Sequence, residues 1–378
     1  MNLSLNEEQE IIKRTTRNFL AKECPTSLVR EIEEGKREFS PHIWRKMAEM
    51  GWLGLIFPSE YGGSEGNFLD LAVLLEEMGR ACAPSWFFST VLLGAQSILN
   101  IGNEEQKKRL LPAINNGESL GTMAIIEPQS GSDVAKIEMT SRREGDTFSL
   151  NGIKLCVPDA HIADWMVCVT RGKGEKNGSP AMGLFLVDKE SPGISITPLM
   201  TISGDKLFEI KFDNVKVSAE NLLGDGEQST ADLERTLQRA ALAKCAEMVG
   251  GAQKVLEMTV DYAKQRVQFN RPIGSFQAIQ HHCANMAIDL DCSRYLAYYA
   301  AWMLSEGIPC EKEIAMAKAF ISDAYINITT LGQQIHGGTG LIKEHDMQLY
   351  FRRAKAAALS LGNGTFQRGI VAREMGLN

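Results

Sequence analysis

Apolar residues along this chain follow a helical period at both ends and a shorter, strand-like one in the middle. Leu5-Asn6-Glu7-Glu8-Gln9 opens an amphipathic run, and Phe68 to Ala81 repeats apolar residues at helical spacing around Glu76-Glu77. Pro58-Ser59-Glu60-Tyr61-Gly62-Gly63 is a turn-rich break between them. Near Thr122 the period changes. Thr122 to Ile126, Thr147 to Leu150, Ile153 to Val157, Trp165 to Thr170, Met182 to Val187 and Phe208 to Val217 are short apolar, β-branched runs expected as strands. Asn151-Gly152 between two of them predicts a tight hairpin. Arg171 to Pro180 predicts an exposed, mobile loop. From Ser229 the helical period returns and persists, with no internal repeat. The layout is mainly α with a central β domain: a helical N-terminal domain over 1–120, a β domain over 121–228 and a helical domain over 229–378.

Composition narrows the class. With 378 residues the chain can bury a large core. The excess of 47 acidic over 40 basic residues, a net charge of -7, argues against a nucleic-acid partner. No run approaches a membrane span, and the polar, acidic start resembles neither a signal nor a transit peptide. Eight cysteines without C-x-x-C or metal spacing fit reduced thiols in a cytoplasm, and neither they nor the six histidines form a metal-ligand cluster.

Two stretches carry candidate chemistry. One is Arg266-Val267-Gln268-Phe269-Asn270-Arg271-Pro272-Ile273-Gly274-Ser275-Phe276-Gln277; the other is Gln334-Ile335-His336-Gly337-Gly338-Thr339-Gly340. Arginine offers a forked donor to a diphosphate, glutamine a paired donor and acceptor, and glycine a close approach to the backbone. Together they predict a site for a phosphate-bearing cofactor held between helices. His336 and His281 are expected to make structural hydrogen bonds.

These stretches, with Gly51-Trp52-Leu53-Gly54-Leu55, Pro58 to Gly63, Glu76 to Arg80, Gln106 to Pro112, Glu127-Pro128-Gln129-Ser130-Gly131-Ser132-Asp133 and Phe212 to Val217, resemble the acyl-CoA dehydrogenase family over essentially the full length. The resemblance implies a β-barrel-like middle domain, a C-terminal four-helix bundle and FAD in a cleft between the two. It also implies dimers or tetramers, homomeric or heteromeric. The implied reaction takes a proton from the carbon next to a thioester and a hydride from the carbon beyond it. That converts an acyl-CoA to a 2-enoyl-CoA, with electrons passed to electron-transferring flavoprotein. The alternative is a subunit of a heteromer that holds part of the FAD and runs no chemistry of its own.

The proton acceptor is not where the resemblance puts it. In the best-known members a glutamate near the C-terminus serves; here Asn363, or Leu361 on the alternative alignment, occupies that place. The other family position, on the first long C-terminal helix, is Ala240. None can take a proton. Glu247 lies two helical turns beyond Ala240 on the same face, among Ala243, Gly250 and Gly251, and is the candidate base. Those glycines are explained if an acyl chain or another helix packs closely there; Glu247 could equally pair with Lys244 or Gln253.

For FAD, the resemblance implies contacts from Ile125, Ile126, Ser132, Val157, Pro158, Arg266, Gln268, Phe269, Gln277, Gln334, Ile335, Gly337, Gly338, Thr365 and Gln367. Ile126 and Pro158 replace hydroxyl side chains of the family pattern, and Pro158 has no N–H. Arg352-Arg353-Ala354-Lys355 is expected as a solvated helix face, the alternative being contact with CoA phosphates.

Overall fold

The computed structural model of the chain describes residues 5–176 and 179–377. The first helices are α1 (Glu7–Glu23), α2 (Thr26–Glu33), α3 (Pro41–Glu49), α4 (Phe68–Arg80), α5 (Gln96–Ile101) and α6 (Glu104–Asn115). Strands β1 (Gly121–Ala124), β2 (Ser141–Glu144), β3 (Thr147–Pro158), β4 (Trp165–Lys176), β5 (Ser179–Asp188), β6 (Ile194–Leu199), β7 (Leu207–Ser218) and β8 (Leu222–Ser229) follow. The long helix α7 (Thr230–Gln265) leads to a short hairpin, β9 (Val267–Gln268) and β10 (Arg271–Pro272). Helices α8 (Gln277–Ser305), α9 (Glu311–His336), α10 (Gly338–Leu341), α11 (Met347–Leu359) and α12 (Gly364–Glu374) complete the order. Asparagine begins several of these helices for one reason. Asn6, Asn67 and Asn103 each accept a backbone N–H from the first turn while the residue three places on reaches back to the cap.

The chain divides into two compact units. The first comprises the chain as far as Arg30, Asn67–Ala83, and Ala241 onward. Within it α4 and α7 meet backbone to backbone. A Cβ on Gly79 would stand 1.9 Å from Glu247 O, and one on Gly250 would stand 1.7 Å from Glu76 O. A Cβ on Gly251 would reach 2.2 Å from the Tyr325 hydroxyl of α9. The α7 glycines are therefore explained by helix packing. Around this crossing, buried carboxylates of α4 gather cations from other helices. Glu77 takes a bidentate pair from Arg17 at 2.8 and 2.6 Å. Glu76 accepts from Arg294 at 3.2 Å and from the Tyr298 hydroxyl at 2.8 Å. Forked donors that match the carboxylates make such burial tolerable. Because the obstacle at Gly250 is backbone, neither helix can yield cheaply. Gly250→Ala is expected to cost about 3 kcal/mol, the upper end for overpacking; equal denaturant midpoints for variant and wild type would refute the close crossing.

The second unit comprises Glu31–Gly66 and Pro84–Ala240. Its strands form two four-stranded sheets, β1-β4-β5-β8 and β2-β3-β7-β6, antiparallel except where β1 runs beside β4. Their apolar sides enclose Ala124, Leu150, Val157, Met166, Phe185 and Ile210.

Two local expectations are corrected here. Asn151-Gly152 makes no hairpin, because β3 runs through it. Gly152 has φ +155, the register with β7 shifts there, and Asn151 Oδ1 accepts from Asn214 N at 2.9 Å, so the dipeptide forms a bulge. The tight turn lies earlier, at Gly145-Asp146, where Gly145 has φ +65 and Glu144 pairs with Thr147. The second correction concerns Arg171 to Pro180. Its described part is strand, with Glu175 opposite Pro180 and Lys176 opposite Ser179, while residues 177–178 lie outside the described residues. Pairing with β5 on either side, Arg171 with Met182 and Glu175 with Pro180, carries the strand across Gly172 and Gly174, where the register shifts. The expectations for Met1 to Ser4 also lie outside the described residues.

Candidate functional site

In the first unit the Arg266–Gln277 stretch folds as a strained, exposed hairpin. Arg266 N donates to Tyr262 O and Arg266 O accepts from Ile273 N, both at 2.8 Å, which closes its base. At the tip Phe269 and Asn270 have φ +54 and +62. Asparagine tolerates that conformation; a phenylalanine there costs about 1–2 kcal/mol. The ring is nonetheless 85% exposed, touching Phe276 edge-on at 6.0 Å, while Arg271 lies 4.0 Å over Phe276. Strain kept on an exposed aromatic points to a contact surface. Arg266, Gln268 and Gln277 are exposed, and Arg266 pairs with no carboxylate among the described residues.

The second stretch ends α9 close by. Tyr262 stacks on His336 at 4.4 Å and donates to His336 O at 3.4 Å, joining the ends of α7 and α9. His336 is buried, and burial holds its imidazole below the usual range. Its Nδ1 lies 2.8 Å from Gly332 O, so Nδ1 carries the proton, since a carbonyl can only accept. His281 is exposed on α8. Gln334 is exposed and Ile335 buried, leaving only the backbone of Ile335 for a ligand. Gly337 has φ +59, and a Cβ on Gly337 or Gly338 would meet nothing within 4 Å.

Toward the C-terminus the placements differ from expectation. Thr365 is exposed in the first turn of α12. Gln367 is buried, and its amide donates to Leu361 O at 2.8 Å, so that donor serves the chain itself. The tract around Arg353 is half-buried, not a solvated face. Arg353 donates to Cys82 O at 2.7 Å and Ala83 O at 2.9 Å beyond the end of α4, where free carbonyls attract a cation. Glu247 is partly shielded, its side chain 21% exposed, and its carboxylate accepts from the Lys244 ammonium three residues before it. Burial pushes the Tyr325 phenol well up, with Glu247 among the neighbours that add to the shift.

The second unit holds the other expected contacts. Ile125 and Ile126 continue past the end of β1. Ile125 O accepts from Lys154 Nζ at 3.3 Å and Ile126 O from Leu155 N at 2.8 Å, while the Ile126 N–H meets no acceptor among the described residues. Ser132 is half-buried in the following turn. Val157 is buried in the core, so only its backbone could serve. Pro158 offers no N–H, and its carbonyl already accepts from Thr122 Oγ1 at 2.6 Å. Beneath this edge lies an ion pair that the residue pattern did not reveal. Lys154 and Glu127, 0% and 2% exposed, meet at 2.6 Å, and Glu127 also accepts from Glu138 N at 2.8 Å and Met139 N at 3.1 Å. Asp159, with φ +53, accepts from Ser85 at 3.0 Å and Ser89 at 2.7 Å. The clue to the ion pair was Lys154, a charge inside the apolar run Ile153 to Val157.

Among the described residues no His, Cys, Asp and Glu group could hold a metal, and no helix is long and apolar enough to cross a membrane.

Comparison with known proteins agrees with this layout. The chain matches the acyl-CoA dehydrogenase N-terminal domain over residues 6–118, the middle domain over 122–215 and the C-terminal domain over 230–376. It is 34% identical to a probable acyl-CoA dehydrogenase, YngJ, of Bacillus subtilis, over 99% of this chain and 100% of that one. It is 31% identical to the CarC subunit of the caffeyl-CoA reductase-Etf complex of Acetobacterium woodii, over 97% of this chain and 98% of that one. Among solved structures, butyryl-CoA dehydrogenase from Megasphaera elsdenii superposes with a TM-score of 0.92 at 26% identity, covering 99% of this chain and 100% of that one. The chain belongs to the acyl-CoA dehydrogenase family: it is an oxidoreductase acting on CH–CH bonds, and its cofactor is FAD. In the first unit the residues that fit that cofactor, exposed and uncommitted, are the Arg266 guanidinium, the Phe269 ring and the open glycine turn at 337–338; in the second unit it is the N–H of half-buried Ile126.

Proposed function

We propose that this protein catalyses α,β-dehydrogenation of an acyl-CoA thioester to a 2-enoyl-CoA and passes the electrons to electron-transferring flavoprotein. The observation that carries the reading is the exposed hairpin at 266–277, stacked through Tyr262 and His336 beside the open turn at 337–338. Arg266 would meet the diphosphate of FAD, Phe269 would stack on a ring, and Gln268, Gln277, Gln334 and Thr365 would supply hydrogen bonds. The Ile126 N–H and Ser132 are the donors assigned to the ring or to substrate, with backbone from Ile125 and Val157. When bound, FAD supplies the hydride acceptor. Glu247 would take the proton from the carbon next to the thioester carbonyl, after its carboxylate leaves Lys244. The named pairing of CarC with an Etf supports a flavoprotein partner, and its reductase activity shows that relatives can run the chemistry in the opposite sense. Three domains, 1–120, 121–228 and 229–378, a homo- or heteromeric assembly and a cytoplasmic location belong to the same reading.

A second reading, a half-site subunit that holds FAD for a partner, is favoured by the missing hydroxyls at Ile126 and Pro158 and by the Lys244–Glu247 pair. The chain purified alone tests both. Bound FAD that bleaches anaerobically with an acyl-CoA, and is reoxidised by electron-transferring flavoprotein, supports dehydrogenation. Flavin retained only with a second, different subunit supports the alternative.

A further inference from the structure

Lys318 stands in α9 with its side chain wholly removed from solvent. A buried ammonium is costly unless its donors are used. Its Nζ donates to Ser322 Oγ at 3.1 Å, Ala357 O at 3.0 Å, and Ala358 O and Gly362 O at 3.3 Å. Four oxygens face three N–H bonds, so one donor is shared. Two of those oxygens are among the last carbonyls of α11, which have no partner inside the helix and sit at its negative end. Gly362 belongs to the turn beyond, and that turn is strained. Leu361 and Gly362 have φ +56 and +90 in succession, and the leucine costs about 1–2 kcal/mol there. A second tether reaches the neighbouring peptide, from Gln367 Nε2 to Leu361 O at 2.8 Å. Both carbonyls of the strained turn are thus fixed, one from α9 and one from α12. Strain persists only where the surroundings over-determine the backbone.

From α7, Cys245 and Lys244 act on Lys318 electrostatically. Lys244 is the residue that holds Glu247. We infer that Lys318 is a positioning residue of the reaction: it holds the turn at 360–363 in its strained path beside the α7 stretch that carries Lys244 and Glu247. The role in the reaction rests on the reading of Glu247 as base; the tether itself does not.

The charge on Lys318 is labile. Burial pushes its ammonium down to about 8, and the Lys244 charge adds to that shift. Burial pushes the Cys245 thiol itself up to about 12, so it stays neutral. The other groups facing Lys318 from α9, α11 and the turn are Ser322 and backbone carbonyls. The sign of the pH effect follows. Below the folded value the lysine is protonated folded and unfolded, and the burial penalty is present. Between about 8 and the ordinary 10.5 the unfolded chain holds more protons, so this group's contribution to stability rises with pH. The neutral amine meanwhile has one donor fewer for the turn. Alkaline pH should therefore loosen the turn locally without destabilising the fold on account of Lys318.

The test uses the full-length, FAD-loaded protein. In Lys318→Met, hydrogen exchange of the amides at 357–364 should speed by about tenfold while those of α1 and α4 hold. In the same variant kcat should fall about 10- to 100-fold with KM and FAD content near wild type. Should the variant fail to fold, the wild type carries the test: from about pH 7 to about pH 9.5, corrected exchange at 357–364 should rise and kcat fall with one midpoint near 8. Unchanged exchange in both experiments overturns the tether, and a looser turn with unchanged kcat overturns the positioning role. Full turnover by Glu247→Gln would instead fail the base assignment, and since the exchange readout does not depend on which group is the base, the two failures are distinguishable.

Discussion

Glu247→Gln is expected to lower acyl-CoA turnover by about 10²- to 10⁴-fold, the usual worth of a positioned proton acceptor, while FAD content stays at the wild-type level. Glutamine keeps the side-chain volume and can still accept from Lys244, so the Gly79 and Gly250 contacts of α4 and α7 are undisturbed. What it loses is the ability to take a proton at this place. Leu361, Asn363 and Ala240, at the positions where the family resemblance would place a base, cannot compensate. Flavin bleaching by acyl-CoA under anaerobic conditions is the direct readout, because it isolates proton and hydride removal from reoxidation. Bleaching at the wild-type rate would remove Glu247 from the mechanism and favour the half-site reading.

Lys154→Met is expected to destabilise the second unit by about 3–5 kcal/mol, the cost of stranding one member of a buried ion pair. Glu127 would keep its backbone donors, Glu138 N and Met139 N, but lose the cation 2.6 Å away in a site closed to water. The same change frees Ile125 O, so the edge that carries the Ile126 N–H should slacken and FAD content should drop. Chemical denaturation followed by far-ultraviolet circular dichroism, with flavin absorbance alongside, checks both effects. Glu127→Gln combined with Lys154→Met should recover part of the loss, since no charge then remains buried alone. A single variant as stable as wild type would show the pair to be dispensable.

Much of the architecture was legible in the residue pattern. Helical spacing from Phe68 to Ala81 became α4, and the β-branched runs from Trp165 to Thr170 and Phe208 to Val217 became β4 and β7. Asn151-Gly152 misled because a local turn preference competed with a long strand partner, and the ladder to β7 prevailed. Gly250 and Gly251 suggested a close approach but not its partner: only the fold brings Glu76 O and the Tyr325 hydroxyl to them. At the candidate site, Arg266 and Phe269 are exposed, whereas Gln367 turned inward to Leu361 O.

By itself the order of residues determined the family and the succession of helices, strands and helices, because periodicity and motif spacing are local properties of a chain. Which charges lie in the interior and what they hold was decided by tertiary structure alone. Arg353 reads as part of a solvated helix face, and no local pattern assigns Lys154 or Lys318 a partner, until folding brings the carbonyls beyond α4, Glu127 and the carbonyls of α11 to them. The physical reason is that a buried charge is tolerable only with partners distant in sequence, and no local pattern specifies those partners.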